Sequence, residues 1–175
     1  PVFRGVSSRL SKEALNYIPT YYYPNISLGK EFNGFRCENL ECLTFKDESI
    51  DLHITQDVFE HILNPERAFR EIARTLKPGG MHIFTVPLVN KFLPSKVCAY
   101  QNKNDEIIYL TEPEFHGDPT NENGSLVVTR WGYDICEFIH RSSGLFSHMV
   151  YIDSLENGIR AEYIEVLISI KPNKI

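Results

Sequence analysis

The densest run of reactive side chains is Gln56-Asp57-Val58-Phe59-Glu60-His61, two acids and an imidazole within six residues. An imidazole that titrates near neutrality can take a proton from a nucleophile, and a neighbouring carboxylate can orient it. His61 therefore has two readings: a base beside a ligand pocket, or a residue that orients Glu60 or the backbone. The second is favoured, because many pocket-facing histidines are structural. Asp57 either lines the pocket or caps the element that follows. The other cluster is Glu112-Pro113-Glu114-Phe115-His116-Gly117-Asp118-Pro119, three acids and a histidine in eight residues. His116 is the second candidate for proton transfer or substrate contact. Glu114, His116 and Asp118 can be drawn as a ligand set, but no second histidine stands at ligand spacing, so no metal is expected.

These residues need a scaffold, and the chain alternates β-rich runs with helical patterns, as βαβ units do. Val2–Val6 and Tyr21-Tyr22-Tyr23 read as the first two strands. Ser11 reads as the cap of a helix that includes Ala14, Leu15 and Ile18, and residues 28–39 as irregular connection. Ile50–Thr55 reads as a buried strand. Asn64-Pro65-Glu66 is a helix start, with a capping Asn, Pro at the first helical position and an acid in the first turn. Phe69, Ile72, Ala73 and Leu76 then form one apolar stripe. Lys77-Pro78-Gly79-Gly80 reads as a stop, and Met81–Val86 as the next strand. Residues 90–123 lack periodicity and read as one long functional loop, with Ser125–Thr129 a short strand after it. Trp131, Ile135, Phe138 and Ile139 mark a helix. Phe146–Ile152 and Ala161–Ile170 are strands around a turn at Glu156-Asn157-Gly158. The expected fold is a Rossmann-like doubly wound α/β sheet, mixed but mostly parallel, with a C-terminal antiparallel hairpin. In such sheets ligands bind beyond the carboxyl ends of the strands, where Gln56–His61 would lie.

At 175 residues one domain spanning the chain is expected, and the start at Pro1 without Met suggests a domain trimmed of N-terminal elements. The formal charge is −5, with no block of Lys or Arg, which argues against nucleic acid or an anionic membrane as partner. No apolar run is long enough to span a bilayer, and no signal-peptide layout opens the chain. Cys37, Cys42, Cys98 and Cys136 form no CxxC pair, so reduced, mostly buried thiols of a cytoplasmic protein are expected. A dinucleotide dehydrogenase ranks low without GxGxxG.

Three stretches in order carry a resemblance: Leu43-Thr44-Phe45-Lys46-Asp47-Glu48-Ser49-Ile50-Asp51-Leu52, Asp57-Val58-Phe59-Glu60-His61-Ile62, and Ala68-Phe69-Arg70-Glu71-Ile72-Ala73-Arg74-Thr75-Leu76-Lys77-Pro78-Gly79-Gly80. Over about residues 38–89 the chain resembles class I S-adenosylmethionine-dependent methyltransferases, most closely the type-11 group. The resemblance implies S-adenosylmethionine as cofactor and positions for it. The turn after the first strand, here Gly5, Ser7 and Ser8, would approach the methionine part. Asn39 and Leu40 would hold the adenine, and Gln56 and Asp57 would sit beside the methionine moiety. Tyr22, or Tyr21, stands where the family carries its ribose-binding acid, and Arg4-Gly5-Val6-Ser7-Ser8-Arg9 stands in place of GxGxG. Tyr22 or Phe59 could face the sulfonium. Two functions stay open: methyl transfer to a small-molecule acceptor, with His61 and His116 as candidate catalytic residues, or a non-catalytic methyltransferase-fold binding or scaffolding domain with a degenerate cofactor site.

Overall fold

The computed structural model describes residues 5–118 and 121–173. The first element is helix α1, Gly5–Glu13. Gly5, Ser7 and Ser8 are thus helical rather than part of a turn ending a strand, and residues 2–4 of the expected first strand lie outside the described residues. Next come β1 (Thr20–Tyr21), β2 (Glu31–Phe32) and β3 (Phe35–Cys37), a small sheet of order β1-β3-β2. The stretch expected to be irregular is therefore partly a hairpin, closed where Asn33 and Gly34 both take positive φ.

The centre of the fold is β4 (Ile50–Gln56), α2 (Pro65–Thr75) and β5 (Leu76–Thr85), with β4 and β5 parallel. Helix α2 starts where its chemistry demands. The Asn64 side chain accepts the Arg67 N–H at 3.0 Å, Pro65 needs no partner for a missing donor, and Glu66 faces the positive end of the helix dipole. Its buried face, Ala68, Phe69 and Ile72, joins Leu76, Phe84, Trp131, Ile139 and Leu167 in one core. Burying a side chain such as Phe69 stabilises the fold by about 1.5–3 kcal/mol. The helix stops at Thr75, just before the expected Lys77–Gly80 stop, and those four residues form an irregular start of β5. The ladder slips between Ile50↔Leu76 and Leu52↔Met81, Gly79 takes φ +76°, and Gly80 lies against the Lys77 and Asp51 carbonyls.

The long segment after β5 is not a structureless loop. It folds into β6 (Lys96–Val97), β7 (Ala99–Gln101), β8 (Ile107–Tyr109), β9 (Phe115–Asp118), β10 (Asn121–Leu126) and β11 (Thr129–Arg130). These pair antiparallel as β7–β8, β9–β10 and β6–β11. Helix α3 (Ile135–Ser143) follows, stopped by Gly144 at φ 74°, then β12 (Phe146–Tyr151) and β13 (Glu165–Ile170).

The main sheet has the order β12-β13-β5-β4, with β13 antiparallel to both neighbours. Among the described residues the parallel pairs are β1–β3 and β4–β5, so parallel ladders are a minority and the expected mostly parallel sheet is not what pairs here. Helices α2 and α3 pack on each other over the face that carries His82, Phe84 and Leu167. The opposite face shows Leu52, Ile54, Met81, Phe146 and Val150, each 37–55% exposed. No strand among the described residues pairs with the far edge of β4. The four cysteines are free; Cys37 and Cys98 are buried and Cys42 is exposed. No helix among the described residues is long and apolar enough to cross a membrane.

Candidate functional site

The chain leaves β4 by a sharp change of direction. Asp57 takes φ 49°, its N–H donates to the Thr85 carbonyl at 3.0 Å, and its carboxylate accepts from the Thr85 hydroxyl at 3.0 Å. Phe59 then enters the core and stacks on Phe69, ring centroids 4.1 Å apart and 11° from parallel. It is fully buried there and does not face a ligand pocket. Two backbone carbonyls lock the segment against the strands that follow. Glu60 O accepts the Val128 and Thr129 N–H groups at 2.7 and 3.1 Å, and Phe59 O accepts the Trp131 indole N–H at 3.2 Å.

That clamp carries Glu60 inward, leaving its side chain 3% exposed, and neither carboxyl oxygen has a hydrogen-bond partner. Burial pushes the Glu60 carboxyl up to about 7, and the negative charge of Asp57 adds to the effect. Its neighbours are two imidazoles: His61 Nε2 is 3.5 Å from Glu60 Oε1, and His116 Nδ1 is 3.9 Å from the same atom. The rings of His61 and His116 meet edge to face, 5.1 Å apart at 88°.

Each imidazole is held from its other side. His61 Nδ1 lies 2.8 Å from the Leu126 carbonyl; a carbonyl only accepts, so Nδ1 carries the proton and Nε2 the lone pair. His116 Nε2 lies 3.7 Å from Glu114 Oε1. The other Glu114 oxygen accepts from Arg130 Nε and Nη2 at 3.1 and 2.7 Å, which holds the Glu114 carboxyl below its usual range. A cleft of about 320 Å³ opens over Glu60 and His116, with Asn90, Glu114 and Arg130 also in its lining. It lies past the carboxyl ends of β4 and β5. A larger cleft of about 430 Å³ lies at the opposite end of the sheet, and its cations are already paired: Arg70 with Glu66, Arg74 with Glu71, Lys171 with Glu48.

The candidate residues named from the sequence are distributed as follows. His61 and His116, from separate clusters, come together around Glu60. Gln56 and Asp57 are exposed at the end of β4. Asn39 turns its Oδ1 to the Glu41 N–H at 2.9 Å, and Leu40 packs on the core. Tyr22 follows β1, 52% exposed. Gly5, Ser7 and Ser8 lie in the first turn of α1, where Ser8 O accepts from the Ser11 hydroxyl. The sequence offers Glu60 only as a group for His61 to orient, and does not single out Arg130. Burial of Glu60 follows from the Phe59 anchor and the Val128–Thr129 clamp, which local spacing does not encode.

Comparison with known proteins gives three findings. Residues 10–84 match the family model described as a methyltransferase domain. The chain is 27% identical over 121 residues to the ubiquinone/menaquinone biosynthesis C-methyltransferase of Hydrogenovibrio crunogenus, covering 61% of this chain. It spans 47% of that relative, about half its length. Among solved structures it resembles a chain of the complex between the Haloferax volcanii Trm112 methyltransferase activator and a candidate methyltransferase. There the TM-score is 0.51 at 20% identity, over 83% of this chain and 65% of the other. That likeness places the fold in the Rossmann-like α/β group.

Proposed function

Because residues 10–84 match a methyltransferase-domain family model, we propose that the chain is a class I S-adenosylmethionine-dependent methyltransferase that methylates a small-molecule acceptor held in the cleft above Glu60 and His116. The observation that carries the reading is the floor of that cleft: a buried carboxyl and an imidazole, backed by His61, past the carboxyl ends of two parallel strands. The volume suits a metabolite rather than a macromolecule.

By chemical type, the residues assigned to the cofactor suit its two ends. The N–H groups of the first turn of α1, with the Ser7 and Ser8 hydroxyls, suit a carboxylate. Asn39 Oδ1 accepts the Glu41 N–H, which leaves its NH2 to donate to an adenine ring nitrogen, while Leu40 would supply an apolar wall. Gln56 and Asp57 take the methionine part at the end of β4. The ribose is the weak point, since Tyr22 offers one hydroxyl where a carboxylate would hold two. S-adenosylmethionine, when bound, supplies a methyl group already activated on a cationic sulfur. What remains for the protein is alignment, exclusion of water and a destination for the acceptor's proton. His116 and Glu60 face the cleft and take that proton, and His61 stands behind Glu60 to spread the charge.

Calorimetric titration with S-adenosylmethionine and S-adenosylhomocysteine tests the reading. Saturable micromolar binding is expected for both. No binding up to millimolar cofactor would overturn it in favour of a non-catalytic binding domain, the reading that Tyr22 at the ribose position favours.

A further inference from the structure

The three side chains at the cleft floor have a property that proton transfer does not explain: once Glu60 is ionised, they present acceptors to one another with no donor between them. His61 spends its Nδ1 proton on the Leu126 carbonyl, so its Nε2 lone pair faces Glu60 Oε1 at 3.5 Å. The Glu114 carboxylate, fixed by Arg130, faces His116 Nε2 and favours the proton there, so the Nδ1 lone pair faces Glu60 Oε1 at 3.9 Å. Glu60 adds two oxygens, buried and without a hydrogen-bond partner. A buried acceptor without a donor is costly. Converging lone pairs are stabilised by a cation.

We propose that Glu60, His61 and His116 bind one divalent transition-metal ion of the zinc type. The ligand atoms lie within 4.8 Å of one another. Two ligands about 2.0–2.1 Å from a zinc ion stand about 3.3 Å apart at the tetrahedral angle, so the two Glu60 separations of 3.5 and 3.9 Å need shifts of tenths of an ångström, while the two imidazoles, within 4.8 Å, close by rotation of the half-exposed His116 ring. Two imidazoles and one carboxylate are a borderline donor set that prefers zinc-like ions to magnesium or calcium. The outer partners match as well. A metal-bound histidine typically donates its other N–H to a carbonyl or carboxylate; Leu126 O fills that role for His61 at 2.8 Å, and Glu114, 3.7 Å from His116 Nε2, stands on the matching side of His116. Three protein ligands leave a fourth position toward the cleft, where an acceptor's oxygen or nitrogen would coordinate; with the ion bound, its charge would ease loss of the acceptor's proton in place of proton uptake by His116 and Glu60.

The test uses the full chain, free of tags, stripped with chelator and titrated with zinc chloride, with cobalt(II) as an optical probe. Expected are one zinc ion per chain and visible cobalt bands of a low-coordinate site. His116→Asn and Glu60→Gln should each weaken zinc by more than ~100-fold, and Glu114→Gln by roughly 10-fold. Cys42→Ser should change nothing. His116 is half-exposed on a hairpin, so His116→Asn keeps the test decisive even if a change at buried Glu60 disturbs folding. Substoichiometric binding, binding that survives His116→Asn, or binding lost in Cys42→Ser would overturn the proposal. The assay contains no S-adenosylmethionine, so stoichiometric zinc uptake by a chain that ignores the cofactor would support the metal site while removing methyl transfer.

Discussion

His53 and His82 face each other across β4 and β5 on the buried side of the sheet, with ring centroids 6.5 Å apart. His53 bonds Thr75 Oγ1 at 2.9 Å and His82 bonds Thr55 Oγ1 at 3.0 Å. Burial lowers His53 to about 4 and holds His82 well below 6.5. Unfolded, both take a proton near 6.5. Below that pH the unfolded chain therefore binds more protons than the native one. Their contribution to stability is full above pH 6.5 and is lost as pH falls toward 4. Glu60 acts in the opposite sense: its raised carboxyl costs stability as pH climbs from about 4.5 to about 7. His53→Gln, which keeps a donor for Thr75, is expected to flatten the loss between pH 6.5 and 4 relative to the parent. Urea unfolding at a series of pH values measures this, and parallel profiles would refute it. At this scale the sequence was partly legible. It marked His61 and His116, each in its own cluster, but their meeting around Glu60 depends on the register of β9 with β10, which no local pattern states.

Elements built from long local signals were the readable ones. The cap, the proline and the apolar stripe of α2 all act within a few residues, and β4 announces itself by Ile50, Leu52 and Ile54 alternating with polar residues, though the face they form is partly exposed rather than buried. The hairpins after β5 were not readable, because strands of two to six residues hold together by pairing and show too little periodicity to detect. The glycine pair after α2 was legible as a constraint but not in its form. Gly80 sits where a side-chain carbon would lie 2.8 Å from the Lys77 carbonyl and 3.1 Å from that of Asp51. Both neighbours are backbone and cannot step aside. Gly80→Ala is therefore expected to cost about 1–3 kcal/mol, read as a lower urea midpoint at unchanged slope. A change below 0.5 kcal/mol would mean that the slipped start of β5 is freer to move than its contacts imply.

For the whole molecule, the sequence anticipated an α/β domain with its chemistry past the carboxyl ends of the strands, and the cleft over Glu60 lies there. The single, mostly parallel sheet was not borne out by the pairing, since pairing of distant strands is a global property. The edge of β4 has a consequence in solvent exchange. The Asp57 N–H points to β5, where it meets Thr85 O. Directions alternate along a strand, so Thr55 and His53 also send their N–H groups to β5, while Ile54 and Gln56 send theirs outward. Deuterium should then enter this strand in a period of two. The amides of Ile54 and Gln56 should exchange fast and those of His53 and Thr55 slowly, as NMR would resolve residue by residue. Uniform protection along β4 would mean that its outer edge is covered in solution.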